Sequence, residues 1–363
     1  GQVQAGLRER GEPVAARRPA WTWPLPPGVG ECGIGGLGCQ MAARPARGQG
    51  RGGVVDNALV REFPPRTLDK VERLLDLLAE LGEHPLLKGK LALHGGTAIN
   101  LFMLDAPRLS VDIDLSYVGA VDRDAMLADR PIVERSIDEV ARSQGYAVSG
   151  AKGSHAGRTF VLDYRSQWGA DHIKIDCIYM NRSPLMPIEH EASPLRPGLA
   201  VPVFSDAELV GGKVKAFFDR VKMRDLYDVA NLRRVLDGRS MEERTTAHRA
   251  ILFYASLSAT FPYGFEGRPE RFAGRSRELE EQLLPMLRRN EEAPTLEGLI
   301  VVAREFVSDY VLPGTDGESE YLARFARGDF EPSLLFGDGP TARAALASPE
   351  AQWKLQNIRK MQR

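Results

Sequence analysis

His94-Gly95-Gly96-Thr97-Ala98-Ile99-Asn100-Leu101, followed a short way on by Arg108-Leu109-Ser110-Val111-Asp112-Ile113-Asp114-Leu115, is the stretch on which the fold turns. Side chains alternate along a strand, so Ser110, Asp112 and Asp114 share one face and Val111, Ile113 and Leu115 the other. The alternation predicts a strand over Leu109 to Tyr117, apolar on one side and acidic on the other. Two carboxylates about 7 Å apart on one face repel each other unless solvent or a cation neutralises them. Oxygen donors of this kind suit Mg²⁺. Alone, an Asp-x-Asp is as readily the wet face of an edge strand.

Leu91-Ala92-Leu93 reads as a short strand, Gly95-Gly96-Thr97 as a turn, and Ala98 to Met103 as a helix. A glycine turn into a helix start exposes backbone N–H groups that can hold a phosphate, and Thr97 adds a hydroxyl. Glycine equally supports an ordinary tight turn. Order is what joins the two motifs, because one short helix separates the turn from the acidic strand. A third carboxylate, Asp176, lies in His172-Ile173-Lys174-Ile175-Asp176, where Lys174 and Asp176 share a face. It either completes a metal triad of the kind used in two-metal nucleotidyl transfer or pairs with Lys174.

Outward from these motifs, Leu68, Val71, Leu74, Leu75, Leu78 and Leu81 recur at helical spacing, and order begins near Thr67. A helix is predicted over 124–144 with Met126, Leu127, Ile132, Val133, Ile137 and Val140 inward, and strands over Arg158–Tyr164 and His172–Tyr179. A Pro-rich connection over 184–202 leads into helical texture from Ser205, where Ser205-Asp206-Ala207-Glu208 has the form of a capping box. Residues 1–55 are crowded with Gly, Pro and Arg, as in Trp23-Pro24-Leu25-Pro26-Pro27, and read as a disordered or non-native extension around Met41. At 363 residues the chain suggests two domains, 60–204 and 205–363, on a prior of roughly 150 residues each. It has no apolar run long enough to span a bilayer, so membrane partners are not expected. Cys32, Cys39 and Cys177 form no even disulfide framework, which points to a cytoplasmic protein. A net charge of -1 advertises no global affinity for nucleic acid.

The two motifs together resemble the AbiEii/AbiGii-type toxin family, a group of DNA polymerase β-like nucleotidyltransferases from type IV-like toxin–antitoxin systems. Glu208-Leu209-Val210-Gly211-Gly212-Lys213-Val214-Lys215-Ala216 and Arg224-Asp225-Leu226-Tyr227-Asp228-Val229 are similar to that family's downstream Lys and Asp signature. The resemblance covers roughly residues 65–240. It implies an α/β (α+β) fold, with a mixed-sheet nucleotidyltransferase domain followed by a mostly helical one that completes the site. It further implies that Asp112 and Asp114 hold Mg²⁺ and that Gly95, Gly96 and Thr97, with Ser110 nearby, contact the nucleotide. Lys213 would neutralise phosphate charge and Asp228 would complete the site, with Lys215 and Asp225 as alternatives. The reaction implied is transfer of NMP from an NTP to an RNA acceptor, such as the tRNA 3′ end, blocking translation. A cognate AbiEi-like winged-helix antitoxin is the implied partner. A protein side chain or a small molecule as acceptor, or a catalytically inactive binding module, are the alternatives.

Gly211-Gly212 departs from helix-friendly expectation at about 1 kcal/mol per glycine relative to alanine. Either the helix starts at Lys213 or the backbone closely approaches something there. Basic groups at Arg220, Lys222, Arg224, Arg233, Arg234 and Arg239, and at Arg271, Arg275, Arg277, Arg288 and Arg289, offer RNA contacts or a salt-bridged surface. Tyr227 and Tyr254 are expected in the core, Tyr263 is a candidate for stacking on a base, and His94 is expected to be structural.

Overall fold

The computed structural model describes residues 62–362 other than 197, 263, 264, 290 and 291, with side chains except at 150–152. The stretch 1–55, with Cys32, Cys39 and Met41, and also Tyr263, lie outside the described residues.

The first described element is α1 (Pro65–Glu83), whose six predicted apolar positions are all buried. Strand β1 (Leu91–His94) runs straight into a four-residue helical turn, α2 (Gly95–Ala98), continued by one π-helical turn at Ile99–Met103. The two glycines are thus the first helical turn itself. Strand β2 (Asp112–Tyr117) begins three residues later than the alternation suggested. Leu109 N–H instead donates to Met286 O at 2.9 Å, and Arg108 bridges Leu287, so a distant segment fixes the approach to the strand. Helix α3 (Arg123–Ser143) is capped by Asp122, which accepts from Ala125 N–H at 2.9 Å. Its inward stripe is Met126, Val133, Ile137 and Val140; Leu127 and Ile132 are exposed, because at 100° per residue they fall off that stripe.

Strands β3 (Ala147–Gly153), β4 (Gly157–Ser166) and β5 (Gly169–Ile178) form an antiparallel meander. The supposed connection over 184–202 contains two more strands, β6 (Glu189–Ala192) and β7 (Ala200–Val203). They are four residues each and carry no clear alternation; β7 pairs along its whole length with β6, antiparallel, and joins β1 in parallel at Leu93–Val203. The seven strands lie in the order β3-β4-β5-β2-β1-β7-β6. The sheet is mixed, since β1 is antiparallel to β2 while β2 is parallel to β5.

After Val203 the described chain is helical: α4 (Asp206–Asp219), α5 (Met223–Asp237), α6 (Met241–Ser256), α7 (Leu296–Tyr310), α8 (Asp316–Ala326), α9 (Ser333–Phe336), α10 (Pro340–Ala347) and α11 (Pro349–Met361), with short turns at 269–286. Helix α4 passes through both glycines. A β-carbon on Gly211 would lie 2.5 Å from the Tyr254 ring and 2.9 Å from Ala250 O, so this glycine lets α4 cross α6 closely. Ser205 does not complete the capping box. Its hydroxyl donates to Glu208 Oε2 at 3.1 Å, and the buried Glu208 carboxylate turns to the backbone of 185–186. Tyr227 and Tyr254 are buried as expected. Among the described residues no helix is long and apolar enough to cross a membrane.

Candidate active site

Strand register assembles the site. His94 on β1, Asp114 on β2, Asp176 on β5 and Thr159 on β4 are successive cross-strand partners, so they form one row on one face of the sheet. Asp112 and Lys174 are partners in the adjacent row. The opposite face carries Ile113, Ile175 and Phe160, all fully buried. Apolar burial on that side therefore fixes which way the carboxylates point, because a slip of one residue would turn them inward.

The glycine turn is shaped around Asp114. Gly95 has φ +73°, and a β-carbon there would lie 2.2 Å from Asp114 Oδ2. Gly96 faces Arg108 and Ser110, each 3.2 Å from where its β-carbon would stand. Thr97 is buried, and its hydroxyl donates to the Asp112 carbonyl, fastening the turn to β2. Ser110 is buried beside the turn, ahead of the strand.

Burial raises the Asp114 carboxyl, and the neighbouring Asp112 and Asp176 raise it further against an opposing pull from His94. Burial also depresses the His94 imidazole against the opposing pull of Asp114, and its Nε2 is buried without a hydrogen-bond partner. Asp176 has both oxygens engaged, Oδ1 by the Thr159 hydroxyl and Oδ2 by Lys174 Nζ at 2.9 Å. The Lys174 pairing considered for it is therefore formed. Asp112 is 37% exposed and meets Arg224 Nη1 at 3.7 Å.

A second charged cluster backs the turn. Lys213 Nζ lies 2.7 Å from Asp228 Oδ2 and 3.0 Å from Asp225 Oδ1. Arg108 grips Asp228 through Nε and Nη2, both at 2.7 Å, and gives Nη1 to Leu109 O. Asn100 Nδ2 donates to Gly96 O at 2.9 Å and to Asp228 Oδ1 at 3.3 Å, linking the turn to the cluster. Arg220 closes it from outside with two bonds to Asp225. Burial works against every ion here, yet Arg108 and Lys213 hold Asp228 far below the usual carboxylate range. Asp228 and Asp225 in turn raise Lys213. Lys213 and both acidic candidates thus belong to one cluster, whereas Lys215 turns away to Asp219 at 2.9 Å and Glu350 at 3.2 Å.

Sequence reasoning attached no role to Arg108 or Asn100, although both stand inside the quoted motifs. Most residues of the basic groups are ion-paired: Arg233 with Asp237, Glu305 and Asp309, Arg239 with Asp206 and Glu243, Arg275 with Glu278, and Arg277 with Glu281. An open, mainly apolar groove of about 980 Å³, lined in part by Leu78, Gly82, Val118, Ile188 and Pro202, contains none of the predicted site residues.

Among the described residues no three His, Cys, Asp or Glu side chains converge as a ready-made ion cage. The donor set nevertheless fits Mg²⁺, which is commonly held by one or two carboxylates plus substrate phosphates rather than by an all-protein cage. Asp112 and Asp114 offer two carboxylates on one face of β2.

Paired carboxylates beside a glycine turn can serve phosphoryl transfer, which rests on positioning and placed charge. The family model described as "Nucleotidyl transferase AbiEii toxin, Type IV TA system" matches residues 76–305, and the chain belongs to that family of toxin nucleotidyltransferases. Among solved structures it is similar to MenT4, a nucleotidyltransferase toxin of Mycobacterium tuberculosis H37Rv, with 17% identity over 80% of this chain and 92% of that one and a TM-score of 0.49. It is also similar to a putative nucleotidyltransferase from H. pylori, with 14% identity, 68% and 95% covered and a TM-score of 0.42. JHP933 from Helicobacter pylori gives 15% identity, 83% and 96% covered and a TM-score of 0.31. No match was found among curated proteins.

Proposed function

We propose that this toxin transfers NMP from an NTP to the 3′ end of an RNA, with tRNA as the acceptor, in an Mg²⁺-dependent reaction that blocks translation in the cytoplasm. The observation that carries this reading is the seating of Asp114 against Gly95, which brings carboxylates and turn so close that no side chain fits between them. Asp112 and Asp114 would hold Mg²⁺, with Asp176 as third carboxylate once Lys174 yields. When bound there, such an ion would supply Lewis-acid stabilisation of phosphoryl oxygens.

The chain's own groups do the rest. Gly95 and Gly96 open α2, and their N–H groups, with Ser110 and Thr97 nearby, would contact the phosphates. Lys213, held in place by Asp225 and Asp228, would contribute a fixed positive charge whose influence reaches Asp114. Asp228 is a positioning residue that acts through Lys213 and Arg108. Support for a polyanionic acceptor comes from the exposed cations around the carboxylates: Arg220 at 57%, Lys174 at 40% and Arg224 at 39%. The antitoxin partner of this type IV system is proposed to be an AbiEi-like winged-helix protein.

The test is incubation with total tRNA, Mg²⁺ and each α-³²P-labelled NTP in turn, with Asp112→Ala as control. Label on RNase-sensitive material that disappears in the control and without Mg²⁺ is expected. Protease-sensitive label, or label on small molecules alone, would transfer the activity to another acceptor, and full labelling by Asp112→Ala would remove the site from the reaction.

A further inference from the structure

Four cations stand around the sheet carboxylates, and three of them are held tightly. Lys213 is fixed by Asp225 and Asp228, Arg220 by two bonds to Asp225, and Lys174 by Asp176 at 2.9 Å. Arg224 differs. It stands in the first turn of α5 and touches Asp112 through a single nitrogen at 3.7 Å, with both partners slightly over a third exposed. A pair of this kind contributes little to stability and is easily exchanged. Its partner is the carboxylate that the proposed reaction requires for a divalent ion, so the resting protein covers that ligand with a removable charge.

From this geometry we infer that Arg224 is an exchangeable counter-ion: it covers Asp112 in the nucleotide-free protein and passes to the NTP phosphates when a divalent cation occupies the carboxylate. Asp112 is thereby neutralised in both states. The planar guanidinium fork matches two phosphate oxygens, which the compact ammonium of a lysine does not. The inference rests on the nucleotidyltransferase reading of this site and adds a substrate-binding residue to it.

Two binding measurements on the whole chain test it without relying on turnover. Mn²⁺ uptake by the nucleotide-free protein is followed by electron paramagnetic resonance. Binding of ATP, GTP, CTP and UTP in turn is followed by equilibrium dialysis with Ca²⁺, with circular dichroism melting as a folding control. Arg224→Ala is expected to shift the two in opposite directions. Mn²⁺ binds about two- to fivefold more tightly, because a competing cation is gone. The preferred NTP binds about ten- to a hundredfold more weakly, because a charge-assisted contact is lost. Arg224→Lys keeps the charge and loses the fork, so it falls between. If the wild type takes up no Mn²⁺ or none of the NTPs, the underlying reading fails and the inference with it. If the wild type binds both but Arg224→Ala leaves Mn²⁺ affinity unchanged or weaker, or leaves NTP affinity unchanged, the exchange alone is overturned. Loss of affinity for tRNA with NTP binding intact also overturns it and gives Arg224 to the acceptor instead.

Discussion

Asp225 and Asp228 on α5 and Asp112, Asp114 and Asp176 on the sheet are handled by the protein in opposite ways. The α5 pair is buried almost completely, and each carboxylate is matched to two cations at 3.0 Å or less. The sheet set is partly exposed; Lys174 engages Asp176, Arg224 loosely touches Asp112, and Asp114 is left with a raised carboxyl. A buried ion pair is tolerated only when its remaining hydrogen bonds are satisfied, and the α5 cluster meets that condition. Asp112 and Asp114 do not, whereas Asp176, held by Thr159 and Lys174, stands between the two groups. The contrast separates charges satisfied within the protein from the charges on which the proposed function draws.

The comparison breaks most visibly at Asp114. Asp114→Asn keeps the shape and removes a charge that burial and two neighbouring carboxylates oppose. Transfer activity should fall about 10³-fold or more, as for other preorganised electrostatic groups, while the melting temperature rises. The sign follows from the raised carboxyl: ionised Asp114 opposes folding at neutral pH, and the deficit vanishes as pH falls below its ordinary value. A variant that is inactive and also less stable places Asp114 with the structural charges.

Asp228→Asn should do the reverse, lowering stability by about 3–5 kcal/mol through two buried cations left short of charge. Urea denaturation measures it. Because Asp228 is held far below the usual range, its stabilisation is present above the ordinary carboxylate value and is lost as pH falls through the depressed one. Unchanged stability with lost activity would make Asp228 a reacting group. Gly95→Ala acts between the two sets, since the new methyl requires a left-handed backbone at φ +73° and meets Asp114 Oδ2. Strain of about 1–3 kcal/mol is expected, with activity falling more steeply than stability as Asp114 is displaced. Equal losses of both would reduce the glycine to a folding requirement.

Much of the sheet side of this comparison was legible in the chain. Alternation through Asp112, Ile113, Asp114 and Leu115 gave the face of β2, and the spacing of Leu68 through Leu81 gave α1. On the α5 side the resemblance supplied Lys213, Asp225 and Asp228, but their partners Arg108 and Asn100 were not legible. Arg108 and Asn100 owe their environment to Asp228, 120 and 128 residues away, and no local pattern marks an arginine that will be buried by such a partner. Strands β6 and β7 were hidden for a related reason, because a four-residue strand with Pro202 in it is defined by its neighbours more than by its own composition. The Ser205 to Glu208 spacing was present, but tertiary contacts claimed the carboxylate that a local rule reserved for the cap.

That carboxylate is a third case and the finest test of the comparison. Glu208 is as buried as the α5 acids yet has no cation; it accepts from Leu185 N–H at 2.7 Å, Met186 N–H at 3.2 Å, the Tyr254 hydroxyl at 3.0 Å and Ser205. Burial outweighs these four donors and pushes its carboxyl up to about 7. Hydrogen bonds alone therefore do less for a buried carboxylate than paired cations do for Asp228. A raised carboxyl makes the ionised form costly in the folded state, so the penalty is full above about 7 and disappears below the ordinary value of 4.5. Wild-type stability should gain accordingly as pH is lowered from 8 to 5. Glu208→Gln, which cannot ionise, should remove this part of the slope, exceeding the wild type by about 1–3 kcal/mol at pH 8 and converging with it near pH 5. Denaturant midpoints at pH 5, 6, 7 and 8 decide the matter. If the variant is instead weaker at pH 8, the four donors stabilise the anion as well as a cation does, and the division between open and closed carboxylates no longer depends on paired charge.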